Sequence, residues 1–324
     1  HLISSQSAHK KTTGAFKYLG DYEISDLKLA GKQPTNFLNA ASIAYKSHWP
    51  RPNQTHLKKW QQQFKIDHII VLDQNFSGFG FRVILLSEKT WPLLKCKQVI
   101  TEHLKQALES PKYPKSPRQE FDHLDKTTSI SYNKDQLECS FYTPAIAHAP
   151  METQTVIALH HQAKNIELWA PTQAPQHARR RVSDKLSINE NDIRLHTCAI
   201  GGSFGRKRYD DFIIEAALIS EAMFNKGFSY PIKLVWTRED DLGREHYRPA
   251  TYQTLRWSSI DNTQIQHQLV ESSGPHSTPK SSEHYFFPFL DWETKTLKSS
   301  LASQYIPGIW RSVHHGYLAF SICS

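Results

Sequence analysis

A chain of 324 residues with 39% hydrophobic content and a mean hydropathy of −0.56 has room for roughly two folded units and a real core. None of its apolar runs approaches the roughly 18–20 residues that span a bilayer, so no transmembrane segment is read. The net charge of +8 admits a nucleic-acid partner. However, the cations are scattered, and the runs Arg179-Arg180-Arg181 and Arg206-Lys207-Arg208 read as solvated edges, so no nucleic-acid partner is expected.

The first residues, His1 to Lys11, carry no initiator Met and no apolar h-region. No signal peptide is read there, the chain is expected to be a fragment, and the compartment stays open between cytoplasm and periplasm. Residues 1–60 are weakly patterned, with short apolar islands such as Phe37-Leu38-Asn39-Ala40-Ala41. From residue 66 the pattern sharpens. Ile69 to Leu72 reads as a buried strand, Gly78-Phe79-Gly80 as a hairpin turn and Phe81 to Leu86 as the returning strand.

A helix follows, with Thr90 as its N-cap and Pro92 in its first turn. Leu93, Cys96, Ile100, Leu104 and Leu108 recur every three or four residues and form its core stripe. Pro111, Pro114 and Pro117 then forbid further helix. A domain boundary is placed here, with residues 1–115 as one α/β domain, 116–135 as a linker and 136–324 as the second domain.

The second domain opens on a loop, Tyr142 to Glu152, interrupted by Pro144 and Pro150. Thr155 to Leu159 and Ile166 to Ala170 pair as a hairpin around Ala163-Lys164-Asn165. Pro171 to Pro175 lead into a helix with apolar positions Ala174, Ala178, Val182 and Leu186. A strand over 193–200 enters the stretch Gly201-Gly202-Ser203-Phe204-Gly205, and a helix over 211–225 leaves it, closed by Gly227. Ile232 to Trp236 is another strand, and alternating patterns at 251–257 and 265–272 read as exposed antiparallel strands. The fold class is α+β, with mixed strands and helices in two units.

Four cysteines, Cys96, Cys139, Cys198 and Cys323, form no CxxC pair, and the 18 histidines form no HExxH. Neither a zinc site nor an iron–sulfur cluster is read in this chain. The glycine stretch remains, and two chemistries compete for it. Gly201-x-Ser203-x-Gly205 fits the serine-hydrolase elbow between a strand and a helix, with Asp240, Asp241 and His246 available downstream. Alternatively, glycines that let the backbone approach closely, followed by cations, suit an anion.

At this stretch the residues carry a resemblance. Gly201 to Lys207 resembles the Gly-Gly-x-Phe-Gly motif of the molybdenum hydroxylases, the xanthine dehydrogenase and aldehyde oxidase family. Four further segments are similar, in the same order, to its isoquinoline 1-oxidoreductase beta-subunit branch. They are His148-Ala149-Pro150-Met151-Glu152, Trp169 to Gln176, Val235 to Asp241 with Tyr247-Arg248-Pro249, and Pro307 to Val313. Residues 1–110 resemble the family's preceding domain loosely, through Thr13-Gly14-x-x-Lys17-Tyr18 and the unit 81–108. On that likeness the first domain is small and hammerhead-like, and the second a partial molybdopterin-binding domain.

The resemblance implies a molybdenum–molybdopterin cofactor, in its cytosine dinucleotide form, that carries the redox chemistry. Its cofactor-binding residues map onto Gln173, Gly201, Gly202, Ser203, Phe204, Gly205, Arg206 and Arg311. None of these ligates the metal directly. Phe204 and Gly205 match backbone near the metal's oxygens, Gln173 an amide that donates to a pterin or phosphate oxygen, and Arg311 a cation near the metal. Arg206 and Lys207 are expected beside the cofactor's phosphate end.

The implied reaction hydroxylates an aldehyde or N-heterocycle with oxygen from water, passing electrons to a separate 2Fe-2S subunit. Three departures stand out. Ser203 replaces a glycine of the motif. Ile146 and Ala147 fill the place of a glutamine, so His148 and Glu152 carry no assigned role. The catalytic glutamate of the family is expected beyond Ser324, which leaves this chain alone inactive. A serine hydrolase and a non-catalytic fragment remain as alternatives.

Overall fold

The computed structural model describes residues 16–27, 29, 36–45, 51–73, 80–107, 136–162, 165–258, 264–273, 293–302, 306–313, 316 and 320. Thr13, Gly14, Gly78, Leu108, the 116–135 stretch, Ala163, Lys164 and Cys323 lie outside them. In chain order the elements begin with β1 (Leu38–Tyr45), α1 (Gln54–Phe64), β2 (His68–Leu72), β3 (Phe81–Ser87), α2 (Thr90–Ala107) and β4 (Gln136–Thr143). Next come β5 (Thr155–Gln162), β6 (Asn165–Ala170), α3 (Pro175–Leu186), β7 (Ile193–Thr197), α4 (Asp211–Phe224), β8 (Ile232–Val235) and α5 (Arg238–Gly243). Then β9 (His246–Tyr247), β10 (Thr251–Ser258), β11 (Gln264–Ser273), β12 (Glu293–Ala302) and β13 (Ile306–Pro307) follow.

The chain divides into two compact units. The first holds His1–Ser110, Ala149–Ser203 and Lys207–Arg244, and the second Pro111–His148, Phe204–Arg206 and Glu245–Ser324. In the first unit a seven-stranded sheet runs in the order β2-β3-β1-β8-β5-β6-β7. Strands from before residue 110 and from after residue 149 thus belong to one sheet. The strand that joins the two groups is β1, which pairs with β3 antiparallel and with β8 parallel.

β1 is also among the strands that sequence pattern misses. It is buried on both faces, Leu38 and Ala40 on one and Ala41, Ile43 and Tyr45 on the other, so it shows no alternation to read. β3 behaves the same way. Ile84 and Leu86 join the core beneath α4, whereas Phe81, Val83 and Leu85 pack with Leu93, Cys96, Ile100 and Leu104 of α2. Over β5 and β6 the second face is covered instead by Leu19 and Leu27, which meet Ile157, Leu159 and Trp169.

α4 is buried well beyond a single stripe. Eleven of its residues are buried, Asp211 and Glu215 among them. Glu215 sits at 0% exposure and is held by Arg82 Nε at 3.0 Å, Arg244 Nη1 at 2.9 Å, Trp236 Nε1 at 2.8 Å and Ser42 Oγ. A buried carboxylate persists only when paired in this way.

In the second unit a four-stranded sheet runs β12-β11-β10-β4, and β9 pairs with β13 in parallel. The hairpin expected over 251–257 and 265–272 is present as β10 and β11, antiparallel as read. Its first strand is less exposed than expected, since Thr251, Gln253 and Thr254 are buried.

Candidate functional site

Parallel pairing brings two loops of the first unit together. β6 and β7 run parallel and are joined through α3, so the segments leaving both strands emerge from the same end. Crevices at the carboxyl ends of parallel strands are where open α/β sheets take ligands. Here the β6 exit is Pro171-Thr172-Gln173, and the β7 exit is the glycine stretch. The amide of Cys198 donates to the carbonyl of Ala170 at 3.0 Å, which ties the exits at their roots.

Beyond that tie, Lys207 organises the first-unit part of the site. Its carbonyl accepts from the Gln173 amide at 2.9 Å and the Thr172 hydroxyl at 3.3 Å. Its own amide donates to Ser203 Oγ at 2.9 Å, and its ammonium pairs with Glu152. The same Glu152 oxygen accepts the Gly201 amide at 2.8 Å. Gly201 must be glycine because a Cβ would stand 2.6 Å from that of Glu152, and Gly202 turns at φ +96. Among the described residues the amides of Gly202 and Ser203 donate to no acceptor.

Ser203 carries the hydroxyl of the elbow reading, but its surroundings are not those of a nucleophile. Oγ donates to Gln173 Oε1 at 2.6 Å. Helix α4 starts only at Asp211, with the short turn Arg206–Arg208 between. The acids proposed for a triad are engaged as well. Asp240 caps α5 and pairs with Lys97, and Asp241 meets Arg238 at 2.7 Å and Gln154 at 2.9 Å.

The second unit holds Phe204, Gly205 and Arg206. Gly205 has φ +116, and a Cβ there would lie 2.2 Å from the carbonyl oxygen of Ile309. That carbonyl accepts from His148 Nε2 at 2.9 Å. His148 Nδ1 in turn meets Glu245 Oε1 at 2.8 Å, and Arg206 Nε stands 3.5 Å from the same oxygen. Burial pushes the Glu245 pKa up, but the His148 hydrogen bond, with the charges of His148 and Arg206 and the His246 amide, outweighs it. Its carboxyl titrates below the usual value.

This cluster fixes the segment that carries Trp310 and Arg311. Phe204 stacks on Trp310 at 6.1 Å and 13°, and Arg248 lies 5.8 Å over the same indole. Phe204 has φ 53, and Ser312 and Val313 are also left-handed. Such strain in non-glycine residues concentrates where function holds it. Arg311 is exposed and has no ion-pair partner among the described residues. The amides of Phe204 and Gly205 likewise donate to no acceptor among the described residues.

Two sequence readings change. Arg206 and Lys207 are not a solvated edge, because both are 0% exposed and face Glu245 and Glu152. His148 and Glu152, unassigned by sequence, turn out to be partners at the glycine stretch in the second and first unit respectively. Pairs this distant in sequence leave no spacing signal. A separate cavity of about 690 Å³ in the first unit is lined by Ile43, Leu94, Lys97, Leu104, Asp240 and Arg244. None of the cofactor-binding residues expected from the resemblance lines it. No cluster of His, Cys, Asp and Glu suited to a metal ion occurs among the described residues.

With this geometry in hand, comparison with known proteins identifies the stretch. Residues 114–281 match the family model of the molybdopterin cofactor-binding domain. The chain belongs to that family.

Isoquinoline 1-oxidoreductase subunit beta of Brevundimonas diminuta is 31% identical over 105 residues, 32% of this chain and 13% of the relative. Indole-3-acetaldehyde oxidase of Arabidopsis thaliana is 27% identical over 184 residues, 53% and 14% of the two chains. Among solved structures, the aldehyde oxidoreductase of Desulfovibrio gigas matches with a TM-score of 0.63 and 13% identity. That match covers 98% of this chain and 41% of the other. Quinoline 2-oxidoreductase of Pseudomonas putida 86 matches with a TM-score of 0.62, 14% identity, and coverages of 96% and 45%. At such identities the structural matches speak for the mixed α/β fold. The chain spans less than half the length of these solved chains and a smaller part of the curated relatives. No helix among the described residues is long and apolar enough to cross a membrane.

Proposed function

We propose that this chain is the cofactor-holding part of a molybdenum hydroxylase that oxidises an aldehyde or an N-heterocycle. The observation that carries the proposal is the glycine stretch of a molybdopterin cofactor-binding domain with left-handed turns at Gly202, Phe204 and Gly205. Around it, amides of Gly202 and Ser203 in the first unit, and of Phe204 and Gly205 in the second, are left free for a ligand. Backbone donors of this kind suit acceptor-rich oxygens, which fits a phosphorylated pterin.

When bound, the cofactor supplies two-electron redox chemistry at molybdenum. The chain's own part is to hold and orient it. Gln173, Gly201, Gly202 and Ser203 would contact it from the first unit, and Phe204, Gly205, Arg206 and Arg311 from the second. Arg206 would do so through its backbone, since its side chain is buried against Glu245. Arg311, exposed and without an ion-pair partner among the described residues, would hold negative charge at the substrate. An aldehyde would gain its oxygen from water and leave as the acid, with two protons released to solvent and two electrons passed, one at a time, to a 2Fe-2S partner subunit.

The finer points belong to the same proposal. The cofactor is the cytosine dinucleotide form, residues 1–115 are hammerhead-like, 116–135 a linker, and 136–324 the first molybdopterin-binding domain. The test is to purify the protein as its host makes it and assay molybdenum and oxidised-pterin fluorescence. Near-stoichiometric amounts of both are expected, and the absence of both overturns the reading.

A further inference from the structure

A glutamine amide has a donor end and an acceptor end, and what it recognises depends on which end is turned outward. At Gln173 the neighbouring groups decide this. The Lys207 amide can only donate, and it donates to Ser203 Oγ at 2.9 Å. One lone pair of the hydroxyl is thereby taken, and its single proton is left for Gln173, 2.6 Å away. With the amide turned over, its NH2 would face the hydroxyl and the Ser203 proton would be left without an acceptor. Ser203 is only 8% exposed, so water does not readily replace that acceptor, and the turned-over arrangement is the costlier one.

We infer that Ser203 is a positioning residue that locks Gln173 with its NH2 end outward. Gln173 is exposed, and Nε2 has no partner among the described residues. Two N–H donors at fixed orientation then select an oxygen that can only accept. Lys207 adds no free charge there, because its ammonium is buried and paired with Glu152. In this first-unit loop, selection rests on neutral donors held by a hydroxyl. The inference builds on the cofactor reading above. The shared ligand chemistry, an acceptor oxygen, occurs on both a pterin ring and a phosphate.

The test uses the full protein, with and without its cofactor, and the variants S203A, S203T, Q173A, Q173E and S203A/Q173A. Thermal melting of each variant first establishes that it folds. Pterin and molybdenum retained after dialysis are then measured. Titration of cofactor-free protein with cytidine diphosphate and with a phosphate-free pterin separates the two sources of oxygen. S203A is expected to weaken binding of one probe by roughly threefold to tenfold, the scale of one neutral hydrogen bond. S203T is expected to restore it. Q173E, which replaces the donors by a carboxylate, is expected to be at least as impaired as Q173A, and the double variant no worse than Q173A alone.

A loss confined to cytidine diphosphate assigns the phosphate end, and a loss confined to the pterin assigns the ring; both support the inference. If folded S203A binds both probes like the native protein while the native protein holds cofactor, the positioning role is overturned and the cofactor reading stands. If the native protein holds no cofactor and binds neither probe, both are overturned.

Discussion

Arg179-Arg180-Arg181 and Arg206-Lys207-Arg208 are alike in sequence and opposite in the structure. The first run lies on α3, where the side chain of Arg180 is 74% exposed and 3.5 Å from Glu190, and that of Arg181 is 46% exposed and 3.8 Å from Asp210. In the second run Arg206 and Lys207 are fully buried, each against a carboxylate of its own unit. A surface pair gains little because water screens it, whereas a buried cation depends on its partner. The lesson is that a run of cations beside a glycine turn need not serve as an anion clamp. Here it anchors the turn, and in the cofactor reading proposed above the neutral donors would meet the ligand.

The sharpest way to break this contrast is Glu152→Ala, which takes the paired carboxylate away from the buried Lys207 ammonium. A loss of about 3–5 kcal/mol in unfolding free energy is expected by urea titration, and a further Lys207→Met change should recover much of it. Unchanged stability in Glu152→Ala would mean that the Glu152 pair is not what holds Lys207 in place. Gly205→Ala comes next, since its Cβ meets the Ile309 carbonyl and its φ is +116. About 1–3 kcal/mol of destabilisation is expected from the backbone strain alone, read as a lower melting temperature.

Acid titration probes the Arg206 side of the contrast. Because the folded pKa of Glu245 is depressed, its contribution to stability is fully present above the ordinary carboxylate pKa of about 4.5. It is lost as pH falls through the lower folded value. Glu245→Gln, though less stable near neutrality, is expected to lose less further stability between about pH 5 and 3 than the native protein. Parallel pH profiles of the two would refute the pairing. The smallest effect is expected from the exposed run, where Arg180→Ala should change unfolding free energy by no more than about 0.5 kcal/mol.

Much of the local structure was legible. The hairpin β2–β3, the stripe of α2, the hairpin β5–β6 and the Ala178, Val182, Leu186 face of α3 follow from period and turn chemistry. β1 was not, because burial on both faces removes the alternation and, unlike β3, its Asn39, Ser42 and small alanines break any continuous apolar run. Nor was the grouping of β1 with β8, since a parallel pair 190 or so residues apart has no short-range signal. At the site, the glycines and Gln173 could be read from motifs. The partners of Arg206 and Lys207 could not, because Glu245 and Glu152 are distant in sequence and common in type.

By itself, then, the sequence determined the local elements, the positions where only glycine fits and, through five ordered motifs, the family. The tertiary structure decided which charges are buried, which acid neutralises which base and which end of Gln173 faces outward. These depend on solvent exclusion and on contacts between distant segments, and neither is written in the spacing of residues along the chain. The stretch from Gly201 to Lys207 shows both sides: its glycines announce a turn, and only the fold reveals that its two leading cations hold that turn in place.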